Sequence, residues 1–237
     1  MKTIIYALFV GLISITSSQV MATSGGLHLD TVEIDITDQA SLQRGAKTFV
    51  NYCLSCHQAS FMRYNRMAKD LGLTDEQVKQ NLMFASEKIG DTMTVAMRAD
   101  DAKKWFGVTP PDLSVTSRSR GTDWLYTYLR TFYIDDAKIM GTNNLAFKDV
   151  GMPHVLWQQQ GYLKNDVETG HLDTDTKGSQ TTQEYNAMIA DLVNFMAYIG
   201  EPSKIQRLAL AKWVLLYLFV FFLVAYPMKK AFWKDIH

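Results

Sequence analysis

The chain has two cysteines, which are separated by two residues and followed at once by a histidine, in the run Cys53-Leu54-Ser55-Cys56-His57. This spacing is typical of covalent haem attachment, in which two thiols add to the porphyrin and the adjacent histidine binds the iron. A thioredoxin-like redox pair would need a βαβ context, and a zinc site would need two more closely spaced ligands. Neither accompanies the motif. We therefore predict a haem held by Cys53 and Cys56, with His57 as an axial ligand.

The two ends of the chain carry apolar segments of different lengths. Residues 1–22 combine Lys2, an uncharged apolar run of about a dozen residues and a small-residue cleavage pattern, which is typical of a secretory signal peptide. Residues 208–228 carry Lys212 as their single charge and would reach roughly 31 Å as a helix, enough for the hydrocarbon core of a bilayer. These patterns predict a signal peptide (1–22), an exported haem domain (23–206), a transmembrane helix (207–228) and a cytoplasmic tail (229–237).

The predicted signal peptide sets the expected location. Haem is attached to c-type proteins after export, so a haem motif that follows an export signal is chemically consistent. In a bacterium the exported side is the periplasm. We therefore predict a single-pass protein of the inner (cytoplasmic) membrane with its haem domain in the periplasm.

The charge of the chain is balanced overall but uneven along its length. The 24 basic and 24 acidic residues cancel, yet residues 23–206 hold 23 acidic and 18 basic residues, a net charge of −5. An acidic domain favours a basic redox partner, because complementary charge raises the rate of encounter. No basic stripe is present, so the sequence predicts no nucleic-acid partner.

Apolar periodicity predicts a mainly α-helical domain, with helices at residues 41–52, 74–89, 122–133 and 181–199. The first helix runs into the haem motif, and Gly45 within it would allow another helix to approach closely. The last helix opens with the capping-box pair Thr181 and Glu184. Residues 105–121 and 134–180 show turn residues and little periodicity, so we predict long loops there that wrap the haem.

The second axial ligand of the iron decides between electron transfer and an open, reactive position. Most of the twelve methionines fall in the predicted signal peptide, in predicted helices or close to the haem motif. Met140 and Met152 lie in the long loop before the last helix. We favour Met152, because the glycine before it allows close approach and the proline after it stiffens the backbone. Two histidines stay open as alternatives, His154 and His171.

Two segments resemble the first and last helices of class I c-type cytochromes, residues 44–57 and 191–199. The order of the other parts is similar to the cytochrome c1 family: Arg63-Tyr64-Asn65, Pro110-Pro111-Asp112-Leu113-Ser114, Arg118 and Arg120, Gly151-Met152-Pro153 and the C-terminal anchor. The resemblance covers nearly the whole chain after the signal. It implies a class I cytochrome c-like haem domain with long loop insertions plus one C-terminal transmembrane helix.

The resemblance also implies a function and a set of site residues. The site residues are Cys53 and Cys56 for one covalent haem c, His57 and Met152 as iron ligands, Pro110 and Pro111 beside the ring, and Arg118 or, slightly preferred, Arg120 at a haem propionate. The implied function is that of the electron-transfer haem subunit of the cytochrome bc1 complex. Its expected partners are cytochrome b, a Rieske iron–sulfur protein as donor and a cytochrome c as acceptor, in a dimeric complex. The chain alone would carry no catalytic residues, and quinol–cytochrome c oxidoreductase activity would belong to the complex.

Two other functions remain open from the residues. A membrane-anchored c-type cytochrome shuttle, or the haem subunit of a terminal oxidase, would use the same haem motif and anchor. The long loop at 134–180 argues against a minimal shuttle, which needs less chain. A haem enzyme or gas sensor would instead leave the sixth position of the iron open.

Overall fold

The computed structural model describes residues 27–166 and 169–235, so the predicted signal peptide lies outside the described residues. The described chain is mainly α-helical with short antiparallel strand pairs, which confirms the predicted fold class. Its helices are α1 (Gln39–Thr48), α2 (Tyr64–Asp70), α3 (Asp75–Asn81), α4 (Ala99–Phe106), α5 (Thr116–Arg120), α6 (Thr122–Arg130), α7 (Trp157–Gln160), α8 (Thr182–Gly200) and α9 (Lys204–Phe232). A π-helical segment, Phe49–Cys53, continues α1.

The strands form three pairs in the described chain. They are β1 (Ala59–Arg63) with β2 (Thr92–Met93), β3 (Phe132–Ile134) with β4 (Thr142–Asn144), and β5 (Gly161–Asn165) with β6 (Leu172–Lys177). Two of these pairs lie in or beside the segment 134–180, where the sequence predicts loops. The strands are short, and β6 is exposed along nearly its whole length. Such strands lack the alternation of apolar and polar residues by which a sequence reveals a strand.

Helices α1 and α8 cross at the centre of the haem domain. A Cβ atom at Gly45 would lie 2.1 Å from the backbone oxygen of Asp191 and 2.7 Å from Cβ of Phe195, so the crossing requires a residue without a side chain. Beyond the glycine, the rings of Phe49 and Phe195 meet with their centroids 5.5 Å apart. The helices therefore meet backbone to backbone at Gly45, as the sequence predicts.

Polar contacts set the register of this crossing. The amide of Asn194 on α8 donates to the hydroxyl of Ser41 at 3.0 Å and to the backbone oxygen of Asp35 at 2.7 Å. Arg44 makes a bidentate pair with Asp191, at 2.6 and 2.9 Å. The arginine is more than half exposed, so this ion pair contributes modestly, whereas the buried amide contributes to the specificity of the packing.

The predicted helix starts at residues 74, 122 and 181 agree with the structure to within one residue, whereas the predicted ends at residues 89 and 133 are wrong. The capping box of Thr181 and Glu184 is present, which confirms the predicted start of α8. The predicted helix 122–133 ends at Arg130, because the chain turns there to begin β3. These ends show that local capping signals are reliable where no tertiary pairing competes with them.

Helix α3 is much shorter than the predicted helix 74–89. It ends at Asn81, and the chain after it packs against the start of α2. There the backbone oxygens of Ile89 and Asp91 accept hydrogen bonds from the N–H groups of Asn65 and Tyr64, at 2.8 and 3.1 Å. These tertiary hydrogen bonds need an extended turn, so they override the helical periodicity of the sequence.

Helix α9 is long and apolar, and in the described chain it is exposed around its whole circumference. Its 29 residues extend about 43 Å at 1.5 Å per residue, more than the roughly 30 Å of a bilayer core. Exposed leucine, valine and phenylalanine side chains all round a helix fit a lipid environment and not an aqueous one. Among the described residues, it is the one helix with the length and composition of a membrane span.

Candidate haem site

A cavity of about 430 Å³ lies beside the haem motif. This volume falls in the usual range of small-molecule and cofactor sites. The cavity is enclosed by the π-helical segment, the loop 106–113, helices α5 and α6, the loop 147–155 and one face of α8. Its lining includes Cys53, Cys56 and His57, so the motif and four distant parts of the chain converge on one site.

The three motif residues are held together by a tight turn after the π-helical segment. The backbone oxygen of Cys53 accepts hydrogen bonds from the N–H groups of Cys56 and His57, at 3.1 and 2.8 Å. Cys53 is buried, and burial raises the pKa of its thiol to about 12. Such burial is unlike the accessible, activated thiol of a thiol–disulfide exchange site. A buried, uncharged sulfur suits a thioether bond to a porphyrin.

The side chain of His57 is oriented by the proline pair. Its Nδ1 lies 2.8 Å from the backbone oxygen of Pro111. A carbonyl oxygen only accepts, so Nδ1 carries the proton and Nε2 keeps its lone pair for a metal. Burial also lowers the pKa of His57, and the neutral imidazole is the form that binds iron. Pro110 and Pro111 both line the cavity, beside this imidazole.

Hydrogen bonds hold the loop that carries the proline pair against the residues that follow the haem motif. The N–H of Leu113 donates to the backbone oxygen of Gln58 at 2.8 Å, and the carboxylate of Asp112 accepts from both the N–H and the hydroxyl of Ser60. Burial opposes ionisation of Asp112, but hydrogen bonds from Ser114 and Ser60 outweigh it and lower the pKa of the carboxyl group. This network fixes the carbonyl that orients the histidine.

Of the two methionines in the long loop, Met152 lines the cavity and Met140 does not. Met152 is half-buried, and its Sδ accepts a hydrogen bond from the hydroxyl of Tyr128 at 3.3 Å. The neighbouring Gly151 lies against the side chain of Val108, where an added Cβ would come within 3.2 Å of a methyl carbon. The loop therefore packs tightly against the cavity wall at this glycine.

The alternative ligands considered from the sequence lie elsewhere. Met140 does not line the cavity, and His171 is exposed, 3.5 Å from Asp173. His154 is buried with its ring stacked on Phe132, at a centroid separation of 5.1 Å, and burial lowers its pKa to about 4. Neither histidine lines the cavity. A second methionine, Met196, does line it from α8.

The two candidate arginines point to different places. Arg120 lines the cavity, with its guanidinium 5.1 Å from the ring centre of Trp124 and 5.7 Å from that of Phe147. Arg118 lies outside the cavity lining and pairs with Glu201 at 3.6 Å. In the described chain Arg120 has no carboxylate within salt-bridge distance, so its charge is available to a bound anion.

Trp124 and Tyr128 are cavity residues that the sequence did not single out. They lie four residues apart on α6, which is the helical spacing that brings side chains onto one face. Their rings stack at 4.9 Å with an angle of 9° between planes. The spacing was visible in the sequence, but helix periodicity alone does not say whether such a face meets the core or a cofactor.

The residues around the cavity fit a covalently attached haem. Two cysteines, an imidazole whose Nε2 keeps its lone pair and a thioether line walls that are otherwise mostly apolar, and Arg120 stands beside them. Fold and site together define a membrane-anchored c-type cytochrome.

Comparison with known proteins identifies the family. The model of the cytochrome c1 family matches residues 33–236, and the chain belongs to that family. It is 45% identical to cytochrome c1 of Allochromatium vinosum over the full length of both chains. It is 48% identical to a protein named ammonia monooxygenase gamma subunit in Nitrosomonas europaea, over 95% of this chain and 97% of that one. It is 26% identical to cytochrome c1 of Rhodospirillum rubrum, over 84% and 83% of the two chains.

Membership of the family confirms the resemblance and the predicted cofactor. Cytochrome c1 proteins carry a covalently bound c-type haem, and they are haem electron-transfer subunits of a respiratory complex, the cytochrome bc1 complex. Together with helix α9, the one candidate span among the described residues, this makes the chain a membrane protein.

Proposed function

We propose that this chain takes single electrons from a Rieske iron–sulfur protein and passes them to a cytochrome c, as the haem subunit of a dimeric cytochrome bc1 complex that also contains cytochrome b. Its haem domain lies in the periplasm of a bacterium, and α9 anchors it in the inner membrane. The net charge of −5 in residues 23–206 supports docking of a basic cytochrome c. The predicted signal peptide supports the periplasmic side.

The observation that carries this proposal is that His57 and Met152 line one cavity. When bound, the haem supplies one-electron chemistry at its iron. In our assignment Cys53 and Cys56 attach the haem, His57 binds the iron through Nε2, and Met152 binds it through Sδ. Two protein ligands leave no position for a substrate, which favours electron transfer and, with methionine as one ligand, a raised reduction potential.

The same pair of donors distinguishes this proposal from an oxygenase function. The relative from Nitrosomonas europaea carries the name of a monooxygenase subunit. A haem that activates oxygen needs an open coordination position, whereas here a methionine thioether lines the cavity. The lining of the site therefore supports electron transfer and not oxygen activation.

The proposed partners can be tested by isolating the chain from its own membranes in a mild detergent. We expect it to copurify with a dihaem cytochrome b and an iron–sulfur protein, and the haem to be reduced by quinol in that preparation. The matched control is the same preparation treated with an inhibitor of quinol oxidation, in which reduction should fail. Isolation with oxidase subunits, or alone and unreactive toward quinol, would contradict the proposal.

We further propose that Arg120, and not Arg118, faces a haem propionate. Replacing Arg120 with glutamine removes a positive charge beside the cavity, which favours the more positive ferric state, so the reduction potential should fall. The effect of one exposed charge at roughly 10 Å is on the order of 20 mV, and it should shrink in high salt. Redox titration measures the change.

Arg118→Gln is the matched control for this substitution. It removes the same charge two residues away, but from the ion pair with Glu201. The potential of this variant should stay close to that of the unmodified protein. Equal shifts in the two variants would show that neither arginine acts on a propionate locally.

A further inference from the structure

The geometry points to Tyr128 as a positioning residue that raises the reduction potential of the haem, by donating its hydroxyl hydrogen to the sulfur of Met152. The inference rests on the proposed ligation of iron by Met152. It assigns the tyrosine a role in setting the electron affinity of the site, separate from attaching the haem or binding a partner.

The hydroxyl of Tyr128 has a single acceptor among the described residues. It is buried, and it lies 3.3 Å from Sδ of Met152. A buried hydroxyl needs a partner, since desolvation without a hydrogen bond is costly.

The aromatic neighbours hold the tyrosine ring in this position. One face stacks on Trp124 at 4.9 Å, and Phe132 meets the ring at 5.1 Å with an angle of 67°. Such contacts leave the ring little freedom to rotate away from the sulfur. The hydroxyl is therefore pre-oriented and does not need to be ordered by a change of oxidation state.

The effect on the iron follows from the two lone pairs of a thioether. One is available to the metal and the other accepts the hydrogen from Tyr128. The hydrogen bond withdraws electron density from sulfur and weakens its donation to iron. Ferric iron depends more on that donation than ferrous iron does, so the hydrogen bond favours the reduced state and raises the potential.

The test replaces Tyr128 with phenylalanine in the full chain, purified with its haem. The ring and its stacking partners are kept and the hydrogen bond is removed. The hydrogen bond exists in both oxidation states, so only the difference in its strength changes the potential, and we expect that difference to be about threefold to tenfold in an equilibrium constant. The potential should therefore fall by about 28 to 59 mV at 59 mV per tenfold for one electron. The absorption band of methionine-ligated ferric haem should persist.

Tyr185→Phe is the matched control. Tyr185 is also buried, but its hydroxyl donates to the backbone oxygen of Leu129 at 2.8 Å and it does not line the cavity. The potential of this variant should not change. An unchanged or raised potential in Tyr128→Phe, an equal fall in Tyr185→Phe, or loss of the methionine band in Tyr128→Phe would each overturn the inference.

Two further measurements keep the inference separate from the proposal on which it rests. If Met152→Leu leaves the methionine band intact, the ligand assignment fails, whatever Tyr128→Phe shows. If Tyr128→Phe does not accumulate with haem, the unmodified sequence can be produced with fluorotyrosine, whose more acidic hydroxyl is a stronger donor. The potential should then rise, and an unchanged or lower value would overturn the inference.

Discussion

Replacing Met152 with leucine should abolish the absorption band of methionine-ligated ferric haem and lower the reduction potential by on the order of 100 mV, a modest share of the range of about 0.8 V that axial ligands span. Leucine has nearly the volume of methionine, so the cavity should keep its shape while it loses the sulfur donor. The reduced variant should also bind carbon monoxide, because the position is now open. Optical spectra and redox titration measure all three effects.

Met140→Leu is the control for this experiment. Met140 is the other methionine of the same long loop, and it does not line the cavity. Its replacement should leave spectrum and potential unchanged. The assignment would be wrong if Met152→Leu kept the band, or if Met196→Leu, on the α8 side of the cavity, abolished it instead.

Introducing a single methyl group at Gly45 should destabilise the haem domain by roughly 3 kcal/mol. The added Cβ would lie 2.1 Å from a backbone oxygen of α8, which cannot move aside as a flexible side chain can. The two helices would have to separate, and the contact between Phe49 and Phe195 would loosen. For a domain of this size the thermal midpoint should fall by about 6–12 °C, measured by circular dichroism in detergent.

Gly90→Ala provides the matched comparison. A Cβ at Gly90 would have no neighbour within 4 Å, and the backbone there is not in the left-handed region. This variant should stay within about 0.5 kcal/mol of the unmodified protein. A similar loss of stability in both variants would mean that the glycine at the crossing matters only for its backbone freedom and not for the space it leaves.

The sequence predicted those features of the site and fold that are formed by residues close together in the chain. The haem motif needs three residues within five positions, and the tight turn at Cys53 keeps them together in the fold. The capping box of α8 is likewise a contact between residues three apart. Helix α9 follows from composition alone, because every side of it is apolar. Signals of this kind survive folding, since no distant contact competes with them.

Apart from the close helix contact at Gly45, contacts between distant residues were beyond the sequence. The carbonyl of Pro111 that orients His57 lies 54 positions away along the chain, and the choice of Arg120 over Arg118 depends on Glu201 at the far end of α8. Both arginines have the same charge and nearly the same local sequence. Only the path of the chain shows which of them lies beside a carboxylate.

The sequence by itself determined the kind of cofactor, the helical character of the domain and the membrane anchor α9. Each of these depends on residues that are adjacent or that recur with a helical period. The tertiary structure decided which loop methionine reaches the cavity, that its sulfur meets Tyr128, and where the predicted helix 74–89 stops. These outcomes depend on hydrogen bonds and packing between segments far apart in the chain, whose free energies no local pattern records.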